Sequence, residues 1–159
     1  MDTFTRAYIA CALWSSVPSG VCVCDHEADE HHAYDADNTQ CKECGCTAYY
    51  EGDASFERLN YEIEDIEPDT LARMEADCRA FQEENEETFE AIFSECEWYS
   101  NEIAGHDYWL TRNGHGAGFW DRYYGVNAEL RAAFKVLTDS AGYHPFNFYI
   151  GDDGKVYGS

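Results

Sequence analysis

The chain is short of positive charge. Ten Lys and Arg stand against 32 Asp and Glu in 159 residues, for a formal net charge of −22. Such a chain is repelled by nucleic-acid phosphates and anionic membranes unless a local cluster of bases offsets the field, and the sequence has no such cluster. Direct nucleic-acid binding and membrane binding are therefore not expected. Long apolar runs are also missing: no stretch approaches the roughly 20 residues a bilayer span requires. The N-terminus lacks a basic region leading into an apolar stretch and cleavage site, so the expectation is a soluble, cytoplasmic protein. There is no Gly-x-Ser-x-Gly, no Walker-type loop, no His-Glu-x-x-His and no dinucleotide fingerprint, which removes the chemistries those motifs carry. Neither internal repeats nor low-complexity tracts are present, two similar hairpin patterns aside.

What is present is enough to fold. Hydrophobic residues make up 45% of the chain and aromatics 16%, sufficient for a packed, aromatic-rich core despite the charge. The length suits one compact domain with a small appendage. Without a secretion signal, eight cysteines read better as metal ligands or buried thiols than as a disulfide framework. Cys11, Cys78 and Cys96 stand singly among apolar neighbours, as core residues do. The other five, Cys22, Cys24, Cys41, Cys44 and Cys46, are concentrated between 22 and 46.

That concentration defines a module over 21–52, rich in Cys, His and acids and too poor in aliphatics to fold by burial alone. Cys41-Lys-Glu-Cys44-Gly45 has the Cys-x2-Cys-Gly form of a zinc knuckle, and Cys22-Val-Cys24-Asp-His26 offers a second ligand pair. Cys22, Cys24, Cys41 and Cys44 are the preferred ligands of one structural Zn²⁺, closed and tetrahedral. His26 in place of Cys22, or Cys46 in place of another, are variants. The domain proper is expected to comprise 1–20 and 53–159.

Residues 2–15 place Phe4, Tyr8, Cys11 and Trp14 at helical spacing, with Asp2 or Thr3 as cap. From Pro68 to Cys96 the chain reads as helix. Leu71, Met74, Cys78 and Phe81 form one apolar stripe, and Phe89, Ile92, Phe93 and Cys96 resume it out of phase after a lapse at 83–88. The lapse predicts a bend or two consecutive helices. Asn127 caps a further helix carrying Leu130, Ala133, Phe134 and Leu137, closed by Gly142. Residues 146–150 and 155–157 flank Gly151-Asp-Asp-Gly154 as a hairpin.

The centre of the chain is His106–Tyr124, HDYWLTRNGHGAGFWDRYY. Its alternating bulky residues on either side of a glycine-rich NGHGAG predict a second hairpin with His115 on its loop. One aromatic of each pair, Tyr108/Trp109 and Phe119/Trp120, would then be buried. The expected fold class is α+β, with two hairpins forming a small antiparallel sheet packed by about three helices. His106, Asp107, Arg112, His115 and Asp121 could supply a general base, its orienting carboxylate and a cation for phosphate or carboxylate, as in a small hydrolase-like enzyme centred on His106, Arg112, His115 and Asp121. Pairing of Arg112 with Asp121 across the hairpin is the plainer explanation for two of them.

This central stretch resembles a motif, HDxWLTRNGHGAGFWDR, found in a family of small proteins of tailed bacteriophages and prophages. The likeness extends from the Tyr8–Trp14 region through DIEPDTLARMEADCRAFQEEN to YIGDDGKVY, and does not place the Cys-rich module. It implies a genomic setting, not a reaction. In that setting an acidic accessory protein is expected to bind a basic host protein, such as a nucleic-acid-binding defence or transcription factor. It would act as a nucleic-acid mimic or inhibitor of anti-CRISPR or anti-restriction type, as a monomer or homodimer in the host cytoplasm.

Fourteen acids and two arginines lie in 62–97. Glu83, Glu84, Glu86, Glu87 and Glu90 are the candidate binding residues, with Trp98 and Tyr99 as aromatic anchors. One helix here carries about one net charge per 5 Å, against about one per 1.7 Å for duplex DNA. It is too sparse to imitate a duplex unaided. A plainer reading of the acidity is solubility, or adaptation to high salt, which the eight cysteines and 25 aromatics fit poorly.

Overall fold

A computed structural model describes residues 1–17, 55–57 and 59–159. The Cys-rich module, with Cys22, Cys24, His26, Cys41, Cys44 and Cys46, lies outside the described residues.

Asp2 starts the first helix, α1 (Thr3–Ser15), by accepting a 2.7 Å hydrogen bond from the Thr5 amide. Phe4, Tyr8 and Cys11 are buried as their spacing predicts, but so are Ala7, Ile9, Ala12 and Leu13. The helix is therefore enclosed on several sides and is not simply amphipathic. Trp14 is the exception: it is 60% exposed and does not extend the buried stripe.

Helix α2 (Pro68–Glu84) begins where the Glu67 carboxylate accepts from the Asp69 and Thr70 amides, with Pro68 in the first turn, where its missing N–H costs nothing. Helix α3 (Glu86–Glu95) follows directly. The two are consecutive helices broken at Asn85, and the change of phase between Phe81 and Phe89 marks the break. Helix α5 (Ala128–Ala141) is capped by Asn127, whose side chain accepts from the Leu130 amide, and ends at Gly142, where φ is +57°.

The centre of the chain contradicts the two-hairpin expectation. His106 to Arg112 belongs to helix α4 (Asn101–Arg112), and Phe119–Tyr123 is a short 3-10 helix. The Ser100 side chain caps the start of α4. Asn113-Gly114 is not a hairpin turn but the helix terminus: Gly114 has φ +69°, its amide donates to the Thr111 carbonyl, and the His115 amide donates to Leu110. This is the Schellman arrangement, which needs a left-handed residue where glycine stands. Tyr108 and Trp109 are both buried, which a helix wedged between neighbours allows and a strand with one solvent face does not.

Among the described residues the fold is accordingly five α-helices with one two-stranded antiparallel ribbon, and the expected four-stranded α+β sheet is absent. The ribbon is the C-terminal hairpin read from the sequence, β1 (Phe148–Ile150) against β2 (Val156–Gly158), with Tyr149 opposite Tyr157. Ile66 bridges to Val156 in parallel, so the segment entering α2 is tied to the ribbon.

Helices α1 and α4 form the central pair. At their crossing Gly105 lies so close that a Cβ there would sit 2.2 Å from the Phe4 carbonyl oxygen. Trp109 connects the layers. Its indole N–H donates to Ser15 Oγ at 2.7 Å, and its ring packs on Tyr8 on one side and stacks on Phe148 of the ribbon on the other. Tyr108 stacks on Phe81 with ring centroids 3.9 Å apart, bringing α2 onto α4.

Candidate functional site

The four residues that composed the expected catalytic constellation are not brought together. His106 is exposed on α4, and Asp121 is exposed on the 3-10 helix. His115 lies half-buried in the loop after α4, where burial pushes its imidazole below the usual histidine range. Arg112 is buried. Its Nη1 donates to Tyr8 Oη and Asp77 Oδ2, both at 2.9 Å, and its Nε donates to the His144 carbonyl at 3.1 Å. The guanidinium also lies over the Tyr8 and Tyr108 rings. Among the described residues, no hydrogen bond or ion pair joins any two of the four, and the expected Arg112–Asp121 pair is replaced by Arg112–Asp77. A cavity of about 190 Å³ adjoins this network, lined by Asp77, Phe81, Glu84, Tyr108, Arg112 and His144 among others. That is smaller than the roughly 300 Å³ at which ligand pockets begin.

A second buried pair, Asp107–Arg122, has no local signal in the sequence. Asp107, 1% exposed, accepts two hydrogen bonds from Arg122 and one from the Tyr99 hydroxyl, all 2.9 Å. Tyr99 is therefore a core residue and not an exposed anchor: it is 3% exposed, and burial first, then Asp107, pushes its hydroxyl well above the usual tyrosine range. Trp98 does reach solvent, 52% exposed, with the Arg122 guanidinium over its ring. The aromatic anchor predicted for 98–99 thus reduces to Trp98.

The acidic candidates occupy the α2–α3 junction. Glu83, Glu84, Glu86, Glu87 and Glu90 are all exposed, whereas Asn85 between them is 4% exposed. The Asn85 amide nitrogen donates to the Phe81 carbonyl and to Ser140 Oγ of α5, both at 2.9 Å. One buried polar side chain thereby fixes the junction, and its neighbours are presented outward from a rigid corner. Several bases have intramolecular partners: the buried Arg112 pairs with Asp77, the half-buried Arg122 with Asp107 and the exposed Lys135 with Asp139. None of these three bases pairs with a glutamate of the shoulder.

Cys11, Cys78 and Cys96 are free and buried, as their apolar neighbours implied. Burial pushes the Cys11 thiol up to about 12 and raises that of Cys78 further; both are neutral packing groups, not nucleophiles. Among the described residues no group of three or more His, Cys, Asp or Glu could hold a metal ion, and no helix is long and apolar enough to cross a membrane. Comparison with protein-family models, curated proteins and solved structures gave no match.

Proposed function

We propose that the protein is an acidic accessory protein of phage type that acts by binding a basic protein surface through the α2–α3 shoulder. The observation that carries this is the buried Asn85. It locks the junction to α5 and leaves Glu83, Glu84, Glu86 and Glu87 outward on a preorganised corner. Carboxylates held in place need not be ordered on binding, and their field steers a cationic partner toward them. The fitting partner is a nucleic-acid-binding defence or transcription protein of the host, whose cationic face would otherwise meet phosphates. The charge density argues for occlusion of such a face, not for imitation of a full duplex. In this reading the Cys-rich module is held by one structural Zn²⁺ on Cys22, Cys24, Cys41 and Cys44, as their spacing supports.

The test is cross-linking with a carboxyl-to-amine reagent in bacterial lysate, comparing the native protein with a variant carrying Lys at positions 83, 84, 86 and 87. Selective capture of basic proteins by the native chain alone, with both proteins folded, supports the reading. Equal capture by both sinks it.

A further inference from the structure

Resting on the reading above, we infer that the groove between α3 and α5 is the specificity pocket of the acidic shoulder, accepting one apolar side chain of a partner helix that carries Lys or Arg on either side of it. The groove is lined by Ala91 and Glu95 of α3 and by Asn127, Glu129, Leu130 and Ala133 at the start of α5, and encloses about 280 Å³. Its lining combines apolar side chains, Ala91, Leu130 and Ala133, with two carboxylates, Glu95 and Glu129. The volume lies at the lower edge of small-molecule pockets, which suits a side chain better than a free ligand. Leu130 is buried at its base, while Ala91 is exposed and Ala133 half-buried. The two alanines leave open a space that larger residues would close.

Charge complementarity identifies the occupant. Glu87, Ala91 and Glu95 follow one another at four-residue spacing, so they lie along one face of α3, and the groove continues the row that begins at the junction. Glu95 also ends α3, where the helix dipole favours a cation. At the opposite side the positive end of α5 is already met by the Asn127 cap and by Glu129 in its first turn. An apolar residue flanked by bases satisfies both lining and rim. An acidic or uncharged segment satisfies at most one.

The shoulder supplies attraction at long range, and the groove supplies discrimination. Probes that separate these are a lysine-rich helical peptide with one central Leu and the same peptide with Ser in that place. The native protein should bind the Leu peptide about tenfold more tightly than the Ser peptide, the return expected from burying one aliphatic side chain. Methyl resonances of Ala91, Leu130 and Ala133 should shift with the Leu peptide only. Ala91→Phe, at an exposed helical position, should bind both peptides equally. The double variant Glu95→Gln/Glu129→Gln should weaken both peptides while keeping the Leu preference. Salt-dependent binding without a Leu preference, or a preference that persists in Ala91→Phe, overturns the groove and leaves the acidic shoulder standing. Undiminished binding of both peptides by the protein with Lys at 83, 84, 86 and 87 overturns the shoulder and with it the groove.

Discussion

Arg122 grips Asp107 with two parallel hydrogen bonds, Nε to Oδ2 and Nη2 to Oδ1, each 2.9 Å. The pair is asymmetric in burial, since 32% of the Arg122 side chain is exposed but only 2% of that of Asp107. Removing the arginine strands a buried carboxylate, whereas removing the carboxylate leaves a guanidinium that can turn to water and to the Trp98 ring. Arg122→Met should therefore cost about 3–5 kcal/mol, and Asp107→Asn distinctly less. Urea unfolding of both variants checks the order, and a larger loss for Asp107→Asn would contradict it.

Gly105 tests the α1–α4 crossing. Alanine is the better helix former by about 0.5–1 kcal/mol, yet its Cβ would press on the Phe4 carbonyl. Backbone cannot yield as a flexible side chain would, so the clash wins. Gly105→Ala should lower stability by about 1–3 kcal/mol, read as a lower denaturation midpoint. An unchanged or raised midpoint would mean that the two helices are farther apart.

Much of this helical frame is legible in the sequence, and the places where it is not share a physical cause. Asp2, Asn127 and Gly142 are local signals for local events, and the phase change between Phe81 and Phe89 announces the α2–α3 break. Gly151-Asp-Asp-Gly154 likewise specifies the terminal ribbon. For α4, the cap at Ser100, a stripe through Ala104, Tyr108 and Thr111, and the terminus at Asn113-Gly114 were available. They competed with the alternating bulk of Tyr108–Arg112 and with a second meaning of Asn-Gly, which serves hairpin turns and helix ends alike. The pairs Asp77–Arg112 and Asp107–Arg122 have no local pattern at all. They depend on packing between elements, which is why local pattern alone pairs Arg112 with Asp121 and exposes Tyr99.

Alkaline pH should destabilise the fold. Burial holds the Cys11 thiol and the Tyr108 hydroxyl near about 12, and raises Cys78, Tyr8 and Tyr99 as well. All five ionise more readily in the unfolded chain, from about pH 8.5 for thiols and about 10 for tyrosines. Above those values the folded state binds more protons than the unfolded one, so unfolding free energy falls as pH rises, by up to about 1.4 kcal/mol per pH unit for each group. Melting temperatures should be level near pH 7–8 and drop progressively above it. Replacing Cys11 and Cys78 by Ala should flatten the fall between pH 9 and 10; an unaltered slope would remove the thiols from the explanation.

Metal content provides a separate check on the sequence. Purified protein is expected to carry one zinc per chain, lost on replacing Cys41 and Cys44 by Ser. Since the aromatic core of the described residues draws on neither cysteine, chelation should leave near-ultraviolet circular dichroism and the main thermal transition in place. Absence of zinc, with Cys22, Cys24, Cys41 and Cys44 all titrating as free thiols, would discard the metal.

The corner at Asn85 allows steering and preorganisation to be separated in one experiment. Reversing Glu83, Glu84, Glu86 and Glu87 to Lys changes the field without touching the core, so association with a basic partner should slow and its salt dependence should weaken while the fold is retained. Asn85→Ala does the opposite. Every carboxylate stays, but the bonds to Phe81 and Ser140 are lost, at a stability cost of about 1–2 kcal/mol, and the corner loosens. Its association rate should stay near that of the native protein, because diffusional encounter responds to charge, while dissociation quickens because the glutamates must be ordered on binding. His115→Ala, at a half-buried loop position after α4, should alter neither rate. Surface-immobilised partner with the three variants in solution gives both rate constants across a salt series. If Asn85→Ala slows association as much as charge reversal does, the corner is not acting by preorganisation. If His115→Ala alone abolishes binding, the recognition surface lies at the end of α4 and not on the acidic shoulder.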